Sequence, residues 1–143
     1  NAHCIARFGN EKTHPMKTIL LIDDDQIFNF ISSEMIAETD PDIRIITYLS
    51  SPEALEWLKS LLDRKEPLPD ILFLDIRMPE ITGFELLDKL LKDYPVDDLK
   101  KMRVFMLTSS LDENDNRKAS VNPLVEGFLG KPLDIVELVK ILS

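Results

Sequence analysis

Cysteine is almost absent: Cys4 stands alone in 143 residues, so no internal disulfide can form and the fold must rest on its core. Glycine is scarce too, at four residues, and none lies in a glycine-rich phosphate loop, which argues against nucleotide binding. No apolar run approaches the roughly 20 residues of a membrane span, and the N-terminus lacks a signal-peptide core. Basic residues are outnumbered, 17 Lys+Arg against 26 Asp+Glu, for a formal charge of −9. A nucleic-acid surface needs the opposite balance, because its affinity comes from phosphate contacts. What is present is 44% hydrophobic and 30% charged residues, the composition of one soluble folded domain. A lone cysteine without a signal peptide points to a reducing, cytoplasmic setting.

Residues 1–15 carry no hydrophobic period and no turn-bounded run, whereas Met16-Lys17 directly precedes the first apolar segment. The expectation is a natural start at Met16 and a folded domain over 16–143. Residues 1–15 would then be a disordered leader or an upstream extension. His3, Cys4 and His14 match no metal-ligand spacing.

From Thr18 the pattern alternates. Thr18–Ile22 (TILLI) is a continuous apolar run, as expected of a strand buried on both faces. Gln26–Glu38 reads as a helix with Ile27, Phe30, Ile31 and Met35 on one stripe, ended by Asp40-Pro41. Ile43–Tyr48 is β-branched and reads as a second strand. Ser50, Ser51, Pro52 and Glu53 then open a helix reaching about Arg64, with Trp57 in a packing role. Ile71–Leu74 is a third buried run, and Thr82–Leu91 a helix. Tyr94–Lys101 is a polar connection. Val104–Leu107 is a fourth strand, Asn114–Ser120 a weakly marked polar helix, Gly127–Leu129 a fifth strand and Leu133–Leu142 a last amphipathic helix. Five buried strands alternating with five helices predict an α/β fold, a parallel sheet covered on both faces.

In such sheets ligands bind beyond the carboxyl ends of the strands. Those positions hold Asp23-Asp24-Asp25, Asp75, Thr108-Ser109 and Lys131. Three adjacent aspartates near Asp75 repel one another, and at least one pKa rises unless a cation sits among them. Hard oxygen ligands in modest number suit Mg²⁺. Alternatively, Asp24 or Asp25 simply caps the following helix. A carboxylate at Asp75 beside a metal can act as a nucleophile toward phosphorus. Thr108 and Lys131 then supply a hydroxyl and a point cation. Singly, Thr108 reads as a cap and Lys131 as a surface amine; their convergence at one edge is what carries weight.

The string Asp75-Ile76-Arg77-Met78-Pro79-Glu80-Ile81-Thr82-Gly83, with ILLIDDD before it and LTSS and GFLGKPL after it, resembles the response-regulator receiver domains. The resemblance spans Lys17 to Leu142. It implies a five-stranded parallel sheet of flavodoxin-like order 2-1-3-4-5. It implies that Asp75 takes phosphate from a sensor histidine kinase or histidine phosphotransfer protein. Mg²⁺ would be held by Asp24, Asp75 and the main-chain carbonyl of Arg77, with Asp23 reaching it through water. Thr108 and Lys131 would bind the phosphoryl group, Lys131-Pro132 would be cis, and Phe128 would be an aromatic switch. A downstream protein, rather than DNA or a membrane, would read the changed face. No output domain is expected after the final helix.

A competing resemblance is to phosphatases of the haloacid dehalogenase type, with Asp23-x-Asp25 as the D-x-D motif, Thr108 or Ser109 as hydroxyl and Lys131 as lysine. It needs a further acidic motif, for which only Asp134 and Glu137 remain, and it leaves Asp75 and Met78-Pro79 without a role.

Overall fold

The computed structural model describes residues 17–109 and 113–143, together with the backbone of residues 2–5. Its strands are β1 (Ala2–Ile5), β2 (Thr18–Ile22), β3 (Arg44–Tyr48), β4 (Ile71–Asp75), β5 (Arg103–Thr108) and β6 (Val125–Gly130). Its helices are α1 (Gln26–Thr39), α2 (Ser51–Asp63), α3 (Gly83–Asp93), the short α4 (Val96–Leu99), α5 (Glu113–Val121) and α6 (Ile135–Leu142). The sheet order is β1-β3-β2-β4-β5-β6. Strands β2 to β6 are parallel throughout, and β1 joins β3 antiparallel. The five parallel strands alone have the expected 2-1-3-4-5 order, with helices on both faces. Among residues 1–15, where the sequence shows no period, Ala2–Ile5 pair through their backbone with Ile45–Tyr48; His14 lies outside the described residues.

Two apolar layers hold the helices to the sheet. Residues of β2, β4 and β5 alternate between them because strand side chains point to opposite faces in turn. Leu20, Ile22, Leu72, Leu74, Val104 and Met106 meet α2 and α3. Ile19, Leu21, Ile71, Phe73, Phe105 and Leu107 meet α1 and α6. Every residue of β4 is buried, which explains its uninterrupted apolar run. Trp57 packs at the edge of the first layer, with its ring 5.7 Å from that of Tyr48.

The structure corrects the reading of α1. Its buried side is Phe28, Asn29, Ser32, Ser33 and Ile36, while Ile27, Phe30 and Ile31 face solvent. Of the expected stripe only Met35 packs against the core; Asn29, Ser32 and Ser33 share the buried side with Phe28 and Ile36, so counting hydrophobic residues selects mostly exposed positions. The connection after α3 also contains a helical turn, α4, whose Leu99 is buried. Thr82 proves to be the cap of α3 rather than its first residue, forming a reciprocal capping box with Glu85.

Candidate functional site

Register alone brings the chemistry to one edge. Ile22 of β2 lies beside Leu74 of β4, so Asp23 and Asp75 follow at the same level. Asp75 pairs with Leu107 of β5, and Thr108 pairs with Gly130 of β6, which precedes Lys131. The Lys131 backbone N–H donates to the Thr108 carbonyl at 3.0 Å, and the Lys131–Pro132 peptide is cis.

Asp23 is fully buried and held from several sides. Its backbone N–H donates to the Tyr48 carbonyl at 3.1 Å. Its Oδ1 accepts from the Asp25 N–H at 2.9 Å, and its carbonyl accepts from Asn29 Nδ2 at 2.9 Å. Lys131 Nζ lies 2.7 Å from Asp23 Oδ2 and 3.8 Å from Asp75 Oδ1. The same ammonium sits 4.7 Å from the centroid of the Phe28 ring, a cation–π seat contributed by the buried face of α1. Asn29 and Phe28 were invisible as site neighbours in the sequence because they belong to the stripe of α1 that hydrophobicity did not select.

Asp25 turns away from this cluster. Its Oδ1 accepts from the N–H groups of Ile27 and Phe28 at 3.0 and 3.1 Å, making it the cap of α1. That occupation removes the second acid of the D-x-D arrangement, and the phosphatase resemblance loses its motif. The ligand oxygens of Asp23, Asp24 and Asp75 instead lie within 4.8 Å of one another, two of the residues buried and Asp24 exposed.

Electrostatics agree with an acidic group assembled for a cation. Burial, followed by the charge of Asp23, pushes the Asp75 carboxyl up to about 7. Burial also raises Asp23, against the opposing pull of Lys131. Burial works against the Lys131 charge, but the hydrogen bond and charge of Asp23, with Asp75 adding to them, hold it above the ordinary lysine range. A divalent ion with oxygen preference fits this donor set, because it would relieve the repulsion that raises both acids.

The loop after Asp75 is braced by short contacts. The Ile76 N–H donates to the Leu107 carbonyl at 3.2 Å, and the Gly83 N–H to the Ile76 carbonyl at 2.9 Å. Ser51, at the start of α2, donates its hydroxyl to the Ile81 carbonyl at 2.6 Å. A Cβ on Gly83 would stand 2.4 Å from the Asp75 carbonyl oxygen, so the last residue of the motif must be glycine for α3 to start against the strand end. Glu80 takes a left-handed conformation at φ 67° where the loop reverses. Arg77 leaves the loop toward α5, with Nη2 3.0 Å from Asp115 Oδ2. Phe128 is half-buried against the α2–α3 layer.

A doubly wound parallel sheet with this acidic cluster and lysine at its carboxyl edge defines a phosphoacceptor switch domain. The chain belongs to the response regulator receiver domain family, whose model matches residues 19–143. It is a regulatory phosphoacceptor of two-component signalling, and the reactions it catalyses are its own phosphorylation and dephosphorylation. Response regulator Rcp1 of Synechocystis is 28% identical over 135 residues, 94% of this chain and 89% of the relative. A protein-glutamate methylesterase/protein-glutamine glutaminase of Vibrio vulnificus is 34% identical over 79 residues, 54% of this chain but only 21% of its own length. The crystal structure of a two-component response regulator from Cytophaga hutchinsonii superposes with a TM-score of 0.80 at 32% identity, covering 90% of this chain and 96% of that one. Among the described residues no helix is long and apolar enough to cross a membrane.

Proposed function

We propose that Asp75 is the residue phosphorylated, that the cation is Mg²⁺, and that the donor is a sensor histidine kinase or a histidine phosphotransfer protein. The observation that carries this reading is the meeting of Asp23, Asp24 and Asp75 oxygens within 4.8 Å, with the Lys131 ammonium against two of the three. Asp24, Asp75 and the Arg77 carbonyl would hold the ion directly and Asp23 through water. Bound there, it neutralises charge on the incoming phosphoryl oxygens.

An Asp75 carboxylate oxygen attacks phosphorus as the bond to the donor's imidazole nitrogen breaks, the electron pair departing with the donor. Lys131 faces the acceptor and offsets the transferred charge, while the Thr108 hydroxyl donates to a phosphoryl oxygen. Movement of Thr108 makes room for Phe128 to turn inward, and the face around β6 changes shape for a downstream protein target. We assign the receiver domain to 16–143, with Ala2–Ile5 adding an edge strand to its sheet, and place the protein in the cytoplasm.

Incubating the wild type with a small acyl phosphate and Mg²⁺ should add one phosphoryl group in the intact mass. Chelation and Asp75→Asn should each abolish the addition. Labelling that persists in Asp75→Asn would refute the assignment.

The exposed apolar side of α1 supports the choice of donor. Ile27 is 71% and Phe30 64% exposed on a helix that begins two residues after Asp24 of the acidic cluster. Such a patch beside a reactive site is suited to a helical protein donor rather than to small molecules. Phe30→Glu should slow transfer from a histidine phosphotransfer protein by about tenfold or more, leaving acyl phosphate labelling unchanged. Equal slowing with both donors would place Phe30 in the fold instead of at the interface.

A further inference from the structure

Helix α5 docks in an unusual way. Among its nine residues only Asp115 is buried, and the rest of the segment ENDNRKASV is polar or small apart from Val121, which is exposed. A helix ordinarily attaches through an apolar stripe, and α5 has almost none. Ala119 is half-buried against the α2–α3 layer, and the Lys118 ammonium lies 5.8 Å from the Phe84 ring. The deepest anchor is therefore a carboxylate, and Arg77, on the loop that follows Asp75, bonds it at 3.0 Å. The Asp115 side chain is 4% exposed and that of Arg77 63%, so the acid is a fixed post gripped from the solvent side by the loop. A buried carboxylate depends on such a partner, and the planar guanidinium suits it better than an ammonium would.

We propose that Asp115 is a positioning residue for the divalent-cation site beside Asp75. Through the Arg77 side chain it fixes the stretch of loop whose carbonyl, in the reading given above, faces the metal. The coupling is reciprocal: whatever Asp115 adds to cation affinity, cation binding returns as stability of α5. The helix is thereby tied to the occupancy of the site through a charge pair that joins residues 38 apart in sequence.

The test is hydrogen exchange across Glu113–Val121 during a Mg²⁺ titration, with affinity measured in parallel. Wild type, Asp115→Asn, Arg77→Gln and the double variant are compared. In the wild type, saturating Mg²⁺ should slow α5 exchange by about fivefold or more. Each single variant should lose that response and weaken Mg²⁺ binding by a similar factor, and the double variant should be no weaker than the worse single one. Arg77→Lys, which keeps the charge but not the fork, should fall between. Exchange in β2 and β4 serves as the control for folding. Additive losses in the double variant, or α5 exchange that ignores Mg²⁺ in the wild type, would overturn the inference. Loss of phosphoryl uptake in Asp75→Asn is scored separately. The acceptor assignment can thus fail while the coupling stands, and the coupling can fail while the acceptor stands.

Discussion

Asp75→Asn should make the metal-free protein more stable at neutral and mildly alkaline pH while leaving it unable to accept phosphate. The wild-type carboxyl titrates near 7 in the folded chain, pushed there by burial and by Asp23, against 3.8 for an unperturbed aspartate. Between these two values the folded state binds more protons than the unfolded one, so stability falls as pH rises through the window and levels off above it. The difference corresponds to at most about 4 kcal/mol. Asparagine keeps the shape, carries no charge, and removes that slope. Urea unfolding in chelator, at pH values below, within and above the window, reads the effect directly. Mg²⁺ should restore stability to the wild type above pH 7 and do much less for the variant. A wild type with no pH slope from the acidic to the neutral end would show that its acids are better solvated than the structure indicates.

Lys131→Met should act in the opposite sense. The ammonium is 2.7 Å from an Asp23 carboxylate that has no exposure at all. Removing one partner of a buried pair costs about 3–5 kcal/mol, because the remaining charge is left desolvated. Asp23, already raised by burial, then takes a proton more readily still. The metal-free variant should accordingly be weakest at neutral pH and recover on acidification. Mg²⁺ supplies a replacement charge and no longer competes with lysine for Asp23, so it should stabilise the variant more than the wild type. Phosphoryl uptake from acyl phosphate should fall despite the tighter metal, because the amine facing the acceptor is gone. Equal unfolding midpoints for the two proteins across pH would rule out an energetic role for the pair.

Much of this was legible in the residues. Runs such as ILLI (19–22) and ILFL have no polar position because both sheet faces are covered, and that continuity marks the central strands. Asp75 and Lys131 were recognisable because each ends an apolar run at the edge where such sheets bind ligands. Other features escaped for physical reasons. The buried stripe of α1 mixes Asn29, Ser32 and Ser33 with Phe28 and Ile36, so polar residues stand where a hydrophobic count expects apolar ones. The strands β5 and β6 extend beyond their apolar centres to Arg103, Thr108, Val125 and Gly130 because backbone pairing continues where side-chain burial stops. The pairs Phe28–Lys131 and Arg77–Asp115 exist only once the chain is folded, and no local spacing announces them.

The antiparallel strand β1 has a consequence for behaviour at high concentration. A parallel sheet of this order ends in two free edges, β3 and β6. The β3 sequence RIITY is β-branched and mostly buried, and a bare row of its amides would be a template for strand addition between molecules. Backbone pairing with Ala2–Ile5 occupies that row. The opposite edge, β6, is a poor template by composition: Gly127 and Gly130 weaken any strand added to it, and Glu126, bound to Arg103, sets a charge in the middle. One edge is thus shielded by pairing and the other by its own residues, two separate defences against self-association into fibrous aggregates.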